Sequence, residues 1–180
     1  MILVTFAMAA ASCEDTDDVG GGGGAQGGTG GGGVPDSVVW TDPGSGLTWQ
    51  TVHQDPLTWD DANAYCDQLT LGGHDDWRLP TISDLRTLVR GCPTQSPDGA
   101  CGVADDCLSN SCTDTCFPCV SGQGPTSGCY GPAELSGECG SYWSSSSWNG
   151  DGSVWWDFDF EDGFIDTSDY EVDLVRCVRP

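Results

Sequence analysis

The sequence predicts an α+β domain with two helices and antiparallel strands, preceded by a long N-terminal segment of different composition. Three observations predict this fold class. Segments rich in β-branched and aromatic residues stand at both ends of residues 36–180. Two segments with helical spacing and capping residues lie between them, and hairpin turns separate the later strands. The length of 180 residues suits one such domain with a tail.

Residues 1–12 are predicted to form a signal peptide. Met1–Ala11 is almost wholly apolar or small, and it is too short to span a bilayer as a helix. The following Ala-Ala-Ser-Cys sequence resembles a bacterial lipobox, so we expect Cys13 to be lipidated and to become the mature N-terminus. A plain signal peptide with an incidental cysteine is the alternative. No basic residue precedes the apolar run, which we interpret as a sign of a start codon further upstream.

Residues 13–35 are predicted to be a flexible acidic and glycine-rich tether, because such a segment offers nothing from which to build a core. The lipid on Cys13 would attach the protein to a membrane, and the tether would hold the domain away from it. We therefore expect an exported protein anchored to the bacterial outer membrane or cell surface. The membrane leaflet is left open.

The domain is predicted to begin with a hairpin. Ser37–Thr41 and Leu47–Val52 are β-branched and aromatic, and Asp42–Gly46 between them is a turn sequence. Two helices are expected next, because Thr58 with Asp61 and Thr81 with Asp84 have the spacing of capping boxes. The predicted buried positions are Trp59, Ala62, Cys66 and Leu69 in the first helix, and Ile82, Leu85, Leu88 and Val89 in the second. Gly72 and Gly91 are the predicted helix ends.

The C-terminal region has the period of strands. Ser141–Trp148 and Ser153–Phe160 alternate, and Asn149–Gly152 between them is a strong hairpin signal. Glu161–Gly163 is the next predicted turn, and Val172–Arg179 is a predicted last strand.

A cysteine-rich insertion is predicted over residues 92–139. It carries eight cysteines, namely Cys92, Cys101, Cys107, Cys112, Cys116, Cys119, Cys129 and Cys139. We expect four disulfides to hold it, because its composition cannot build a hydrophobic core, but the sequence does not choose among the possible connectivities. The Cys-Phe-Pro-Cys spacing at Cys116 and Cys119 leaves a redox dithiol and a zinc site open as alternatives.

The chain has 28 acidic residues against five arginines and no lysine, a formal net charge of -23. This charge excludes nucleic-acid binding through a basic patch and binding to anionic head groups by charge. The sequence has no nucleophile elbow, no zinc-protease motif and no phosphate-binding loop, so no catalytic residue is assigned and no enzyme activity is expected.

Calcium is the one cofactor that the sequence suggests. Nine acidic residues and no basic one lie between Asp151 and Asp173, and strand alternation places Asp157 and Asp159 on one face. With Asp151 and Asp162 they could supply oxygen ligands to Ca²⁺, although a solvated acidic face explains the same pattern. Trp148 and Trp155 flank the predicted hairpin loop and are candidate ligand-binding residues if they are exposed, although a core role is the preferred interpretation for each tryptophan.

Five groups of motif residues occur in order along the chain: Gly46–Trp49, Leu57–Ala62 with Tyr65 and Cys66, Trp77–Thr81 with Asp84 and Leu85, Tyr142–Ser145, and Val175–Arg179. The set resembles the Lcl C-terminal domain family of bacterial extracellular domains. The Trp-Arg-Leu-Pro and Arg-Cys-Val-Arg sequences are its specific signatures. The resemblance covers residues 36–90 and 140–180, and the cysteine-rich insertion departs from the family pattern.

The resemblance implies a C-type-lectin-like fold in which a first-helix cysteine pairs with one in the last strand, here Cys66 with Cys177. It also implies non-catalytic adhesion at the cell surface, since Lcl is an adhesin for sulfated glycans. The charge of -23 argues against a sulfated ligand, so a neutral glycan, a basic surface protein or a Ca²⁺-bridged ligand is expected. A structural envelope protein without a small ligand is the alternative, and an enzyme on this fold is a third. The oligomeric state is left open.

Overall fold

The computed structural model describes residues 38–135, 137–169 and 171–180. The predicted signal peptide, Cys13 and the tether lie outside these described residues. Within them, no helix combines the length and apolar character needed to cross a membrane.

Eight strands and two α-helices form the domain. In chain order they are β1 (Val39–Thr41), β2 (Thr48–Gln50), β3 (Gln54–Leu57), α1 (Trp59–Asp67), α2 (Ile82–Thr87), β4 (Ser141–Ser147), β5 (Trp155–Asp159), β6 (Phe164–Ser168), β7 (Asp173–Val175) and β8 (Val178–Arg179). One sheet has the order β1-β2-β8 and the other has the order β3-β7-β4-β5-β6. Only the β4–β7 pair is parallel among these strands, so the larger sheet is mixed. The predicted α+β class is confirmed.

The predicted N-terminal hairpin is present, with β1 antiparallel to β2 and Trp40 opposite Trp49. Strand β3 was not predicted, because its sequence contains Pro56, which cannot donate to a sheet ladder. It forms at the edge of the larger sheet, where a missing N–H is tolerated. Strand β6 was also not predicted, although its five residues pair along the whole of β5.

Both helices begin where predicted and end earlier. Thr58 caps α1 by accepting from the Asp61 N–H, and Thr81 forms a full capping box with Asp84 on α2. Helix α1 ends at Asp67 rather than at Gly72, because Gly72 and Gly73 belong to a separate tight turn that pairs Leu71 with His74. Helix α2 ends at Thr87, yet the predicted buried positions of its segment are all buried.

The predicted last strand is two strands in different sheets. Strand β7 pairs with β3 and β4, and β8 pairs with β2. The chain crosses between the sheets at Arg176 and Cys177. There the Arg176 guanidinium donates to the carbonyl oxygens of Gln50 and Thr51, both at 2.7 Å. These bonds hold the two sheets together.

The larger sheet is covered on both faces by different elements. Its insertion face, defined by Tyr142, Trp156 and Phe158, packs against α2 and the cysteine-rich insertion. Its α1 face, defined by Trp143, Trp155 and Val175, packs against α1. Successive side chains along β4 and β5 point to opposite faces of the sheet, so neighbouring residues of a strand pack in different clusters.

Five disulfides cross-link the domain. Cys66 of α1 pairs with Cys177, which is the pair that the resemblance implies. The insertion contains Cys92–Cys119, Cys101–Cys116, Cys107–Cys112 and Cys129–Cys139. Since Cys116 and Cys119 have different partners, the structure contradicts both the redox dithiol and the zinc thiolate alternatives for this pair.

The insertion is not separate from the main core, contrary to the expectation that disulfides alone hold it. Its Val103 and Tyr130 are buried in the same cluster as α2. The buried Arg86 guanidinium of α2 also donates to four carbonyl oxygens of the insertion, those of Gln95, Ser96, Cys101 and Val103. Burial lowers the pKa of Arg86. This arginine clamp therefore ties the insertion to the second helix.

Candidate functional site

The four aspartates proposed as calcium ligands do not form a group. Asp151 is exposed and accepts from the Ser153 hydroxyl, whereas Asp157 is buried in the sheet. Asp159 and Asp162 accept from backbone N–H groups two residues further on, at 2.7 and 2.9 Å. No set of three or more His, Cys, Asp or Glu side chains among the described residues could hold a metal ion. Calcium binding stays a prediction without such a cluster to support it.

The two candidate tryptophans lie in different parts of the core, so they do not share one site. Trp148 is half-buried, packs against the cluster on the insertion face, and donates from Nε1 to the Asn110 side chain at 3.2 Å. Trp155 is only 8% exposed and belongs to the α1-face cluster. The core role is therefore confirmed for Trp155, because Trp59 at the start of α1 packs over it.

Trp155 nevertheless lines a cleft at the edge of the α1 face, which we call the tryptophan cleft. The cleft has a volume of about 280 Å³. Its walls come from the start of α1, from β4, from β5 and the loop before it, and from the end of β6 and the segment after it. The lining residues are Thr58, Trp59, Asp60, Trp143, Gly152, Ser153, Trp155, Ser168, Asp169 and Glu171.

The aromatic wall of the tryptophan cleft is fixed by the fold. Trp59 contacts Trp155 edge to face, with ring centroids 4.1 Å apart and an interplanar angle of 78°. Trp59 Nε1 donates to the Ser144 carbonyl and Trp143 Nε1 donates to the Leu57 carbonyl, both at 2.8 Å. These bonds hold two of the three rings in place, so the wall exists before any ligand arrives.

Two lining residues carry a buried polar atom that has no hydrogen-bond partner among the described residues. They are Trp155, at Nε1, and Ser168, at Oγ. The two residues are directly opposite each other on β5 and β6. Unpaired buried polar atoms are rare and costly, and a ligand or bound water is one common explanation. Both atoms have almost no accessible surface, so they lie in the packed interior beside the cleft and not in its open space.

The surroundings of the tryptophan cleft are acidic. Asp60, Asp169 and Glu171 contribute to its lining, and none of the described lining residues is basic. Deeper in the sheet, burial and then the charge of Asp173 raise the pKa of Asp157 to about 8. Burial and then Glu171 raise the pKa of Asp173 to about 6. The charge of Glu171 at the rim therefore acts on both buried carboxyl groups, Asp173 and Asp157.

A second cavity of about 230 Å³ lies between α2, the insertion and β4. It is largely apolar, with Leu85, Leu88 and Phe160 in its wall and Arg176 and Tyr142 among its polar lining residues. Arg176 is already engaged by the carbonyl oxygens of Gln50 and Thr51 and by Tyr142. This cavity therefore belongs to the packing between insertion and sheet, and we take the tryptophan cleft as the candidate site.

Sequence reasoning found one wall residue and missed the others. Trp59 and Trp143 were assigned to the core, and the structure shows that they are packed and also line the cleft. Ser168 was not singled out, because no strand was predicted for β6, and Asp169 and Glu171 were noted only as members of the acidic run between Asp151 and Asp173. The available signal was the run Phe164–Ser168 after a turn glycine, which has the composition of a strand.

Comparison with protein families identifies the domain. The family model described as the Lcl C-terminal domain matches residues 38–179. The chain belongs to this family. The matched range of the Lcl C-terminal domain includes the cysteine-rich insertion as well as the flanking motifs. Comparisons with curated proteins and with solved structures give no match. The C-type-lectin-like fold therefore stays a prediction from the resemblance.

The Lcl C-terminal domain is an extracellular domain. The five disulfides of this chain also indicate an exported protein, since disulfides persist in oxidising compartments. Lipid attachment at Cys13 lies outside the described residues and stays a prediction.

Proposed function

We propose that this Lcl C-terminal domain is a non-catalytic binding domain, held at the bacterial surface by lipidated Cys13, which attaches to a glycan through the tryptophan cleft. The observation that supports the proposal is a cleft of about 280 Å³ in which the half-buried ring of Trp59, held by its bond to the Ser144 carbonyl, lies beside exposed polar side chains. Small-ligand sites are typically aromatic clefts with a few polar groups that fix orientation.

A sugar ring matches this combination. Its C–H face is apolar and packs against an aromatic side chain, while its hydroxyl groups donate and accept hydrogen bonds. Its hydroxyl groups would pair with exposed polar side chains of the lining, those of Asp60, Ser153 and Asp169. A surface protein is the alternative ligand, but the cleft of about 280 Å³ is closer in size to one or two sugar rings than to a protein interface.

The first test is a glycan array with the full oxidised protein, in calcium and in chelator, followed by calorimetry on the glycans that bind. Trp59→Phe shrinks the aromatic surface of the cleft, and Ser153→Ala removes one exposed polar group from its lining. We expect each variant to bind about two- to tenfold more weakly, which is the effect of losing about one net contact of 0.5–1.5 kcal/mol.

The matched control is Trp148→Phe, the same substitution at a tryptophan outside the tryptophan cleft. It should bind like the unaltered protein. Equal affinities for all three variants, or no glycan binding in either condition, would refute the proposal. Binding that requires calcium would instead revive the metal hypothesis.

A further inference from the structure

The tip of the β4–β5 hairpin holds the single Asn-Gly sequence of the chain, Asn149 followed by Gly150. The main-chain nitrogen after an asparagine can attack the side-chain amide carbon. It does so most readily when it belongs to a glycine, because no Cβ then crowds the attacking nitrogen. Both residues are exposed, and both have positive φ, 51° and 69°. The amide and the nitrogen that can attack it are therefore adjacent at a solvent-exposed turn.

The space around this turn is open. A Cβ built at Gly150 would meet no atom beyond its chain neighbours within 4 Å, and the same is true of Gly152. At Gly99, which follows an aspartate in the insertion, a Cβ would lie 2.3 Å from the Thr94 carbonyl oxygen. The backbone of the hairpin tip can therefore change its angles without meeting a neighbour, as attack on the Asn149 side chain requires.

The two other asparagines of the chain provide internal comparisons, and neither is followed by glycine. The Asn63 side chain donates to Asp67 at 3.5 Å, and the Asn110 side chain accepts from Trp148 Nε1 at 3.2 Å. No hydrogen bond of the Asn149 side chain is found among the described residues. Its amide group is therefore free to turn towards the nitrogen that follows it.

We infer that Asn149 is a site of spontaneous deamidation, and that its conversion detaches the hairpin tip from the insertion. The Gly150 nitrogen forms a bond to Asn149 Cγ, the Cγ–Nδ2 bond breaks, and Nδ2 leaves as ammonia with the proton of the Gly150 nitrogen. Water then opens the cyclic imide. Addition at Cγ gives aspartate, whereas addition at the main-chain carbonyl gives isoaspartate, in which the chain runs through Cβ and Cγ. Nothing is oxidised or reduced.

The hairpin tip contacts the insertion through two hydrogen bonds. The Asn149 N–H donates to the Leu108 carbonyl at 2.8 Å, and Trp148 Nε1 donates to Asn110. The tip is closed by a third bond, from the Trp148 N–H to the Val154 carbonyl at 2.8 Å. Isoaspartate lengthens the main chain by one atom inside this closed turn, so the tip no longer fits all three bonds. Both products also add a negative charge to a chain that already carries -23.

Peptide mapping by mass spectrometry follows the full oxidised protein during storage in mildly alkaline buffer, which promotes loss of the Gly150 proton. We expect Asn149 to convert at least about tenfold faster than Asn63 and Asn110, a difference of about 1.4 kcal/mol in the barrier. Isoaspartate should be among the products. Hydrogen exchange over residues 108–112 and 149–154 should rise as conversion proceeds.

The matched control is Asn149→Gly, because glycine accepts the positive φ and has no amide to lose. Its hydrogen exchange should stay constant over the same storage. Equal conversion of the three asparagines would overturn the deamidation inference. Conversion without a rise in exchange, or an equal rise in Asn149→Gly, would overturn the detachment of the hairpin tip.

Discussion

Asp157 is a carboxyl group that the sheet buries on its α1 face, where it is only 5% exposed. Strand alternation correctly predicted that Asp157 and Asp159 lie on the same face of β5. Alternation does not predict which elements pack over that face. Burial and the neighbouring Asp173 raise its pKa to about 8, so the folded protein holds a proton there that the unfolded chain releases. This candidate calcium ligand is therefore largely protonated at neutral pH in the folded protein.

This buried carboxyl predicts how stability depends on pH. The folded pKa lies above the ordinary value of 3.8, so between about pH 4 and pH 8 the folded state binds more protons than the unfolded state. The free energy of unfolding should therefore fall as the pH rises through this window. Asp157→Asn removes the titrating group, and it should flatten the fall by at least about 1 kcal/mol, since each pKa unit corresponds to about 1.4 kcal/mol.

Urea denaturation at a series of pH values measures this effect. The control is Asp114→Asn, at an exposed position of the insertion, which should keep the slope of the unaltered protein. Some slope should remain in Asp157→Asn, because the pKa of Asp173 is also raised. Parallel pH profiles for all three proteins would contradict the assignment.

At the scale of elements, local hydrogen bonding was the part that the sequence could predict. Thr81 and Asp84 satisfy each other's backbone groups within one turn, so their spacing alone identifies the start of α2. The β4–β5 hairpin is similarly local, and its turn residue Asn149 has the positive φ of 51° that Asn tolerates.

Elements that depend on distant partners were not predictable in this way. The last strand divides because Cys177 is joined to Cys66 and its N–H donates to Gln50, and neither partner is near it in sequence. The cysteine pairs of the insertion depend on packing against α2, which the spacing of cysteines does not encode. The tryptophan cleft draws on α1, β4, β5 and β6 at once, so no single motif predicted it.

The arginine clamp predicts a large effect from one helical residue. Arg86 is 3% exposed, and its removal would leave the carbonyl oxygens of the insertion unpaired in the core. We expect Arg86→Met to lower the free energy of unfolding by about 3–5 kcal/mol, and Arg86→Lys to restore little of it, because an ammonium cannot reach four carbonyls in the same fork.

Chemical denaturation under oxidising conditions provides the measurement, and hydrogen exchange over residues 92–119 locates the loosened part. Arg78→Met is the matched control, since the Arg78–Asp84 pair is at a half-exposed position and should contribute less than about 1 kcal/mol. Similar small losses for both variants would show that the disulfides hold the insertion without the clamp.

At the scale of the whole molecule, one disulfide closes most of the domain. Cys66 and Cys177 are 111 residues apart and both are fully buried. The chain-entropy estimate for so long a loop is about 4–5 kcal/mol, against about 2 kcal/mol for Cys107–Cys112, whose separation is five residues. The Cys66→Ala/Cys177→Ala double variant should therefore lose about twice as much stability as Cys107→Ala/Cys112→Ala.

Guanidinium denaturation of the two double variants tests the ratio directly. Thiol counts on each variant verify that the other four disulfides are formed before the comparison. Equal losses would mean that the long loop is already restricted in the unfolded chain, which the entropy estimate neglects.

The same long disulfide has a mechanical consequence. Suppose that the domain is bound to a ligand and is pulled at its N-terminal end. The force then acts first on β1, an edge strand that pairs with β2 in the smaller sheet. Peeling can then release residues 38–66, a length of roughly 100 Å, before the load reaches Cys66 and passes covalently to Cys177. Trp59 lies in the part that can be drawn out, whereas Trp143 and Trp155 lie inside the closed loop. Stretching would therefore open the tryptophan cleft on one side, and the covalent link would stop the extension there.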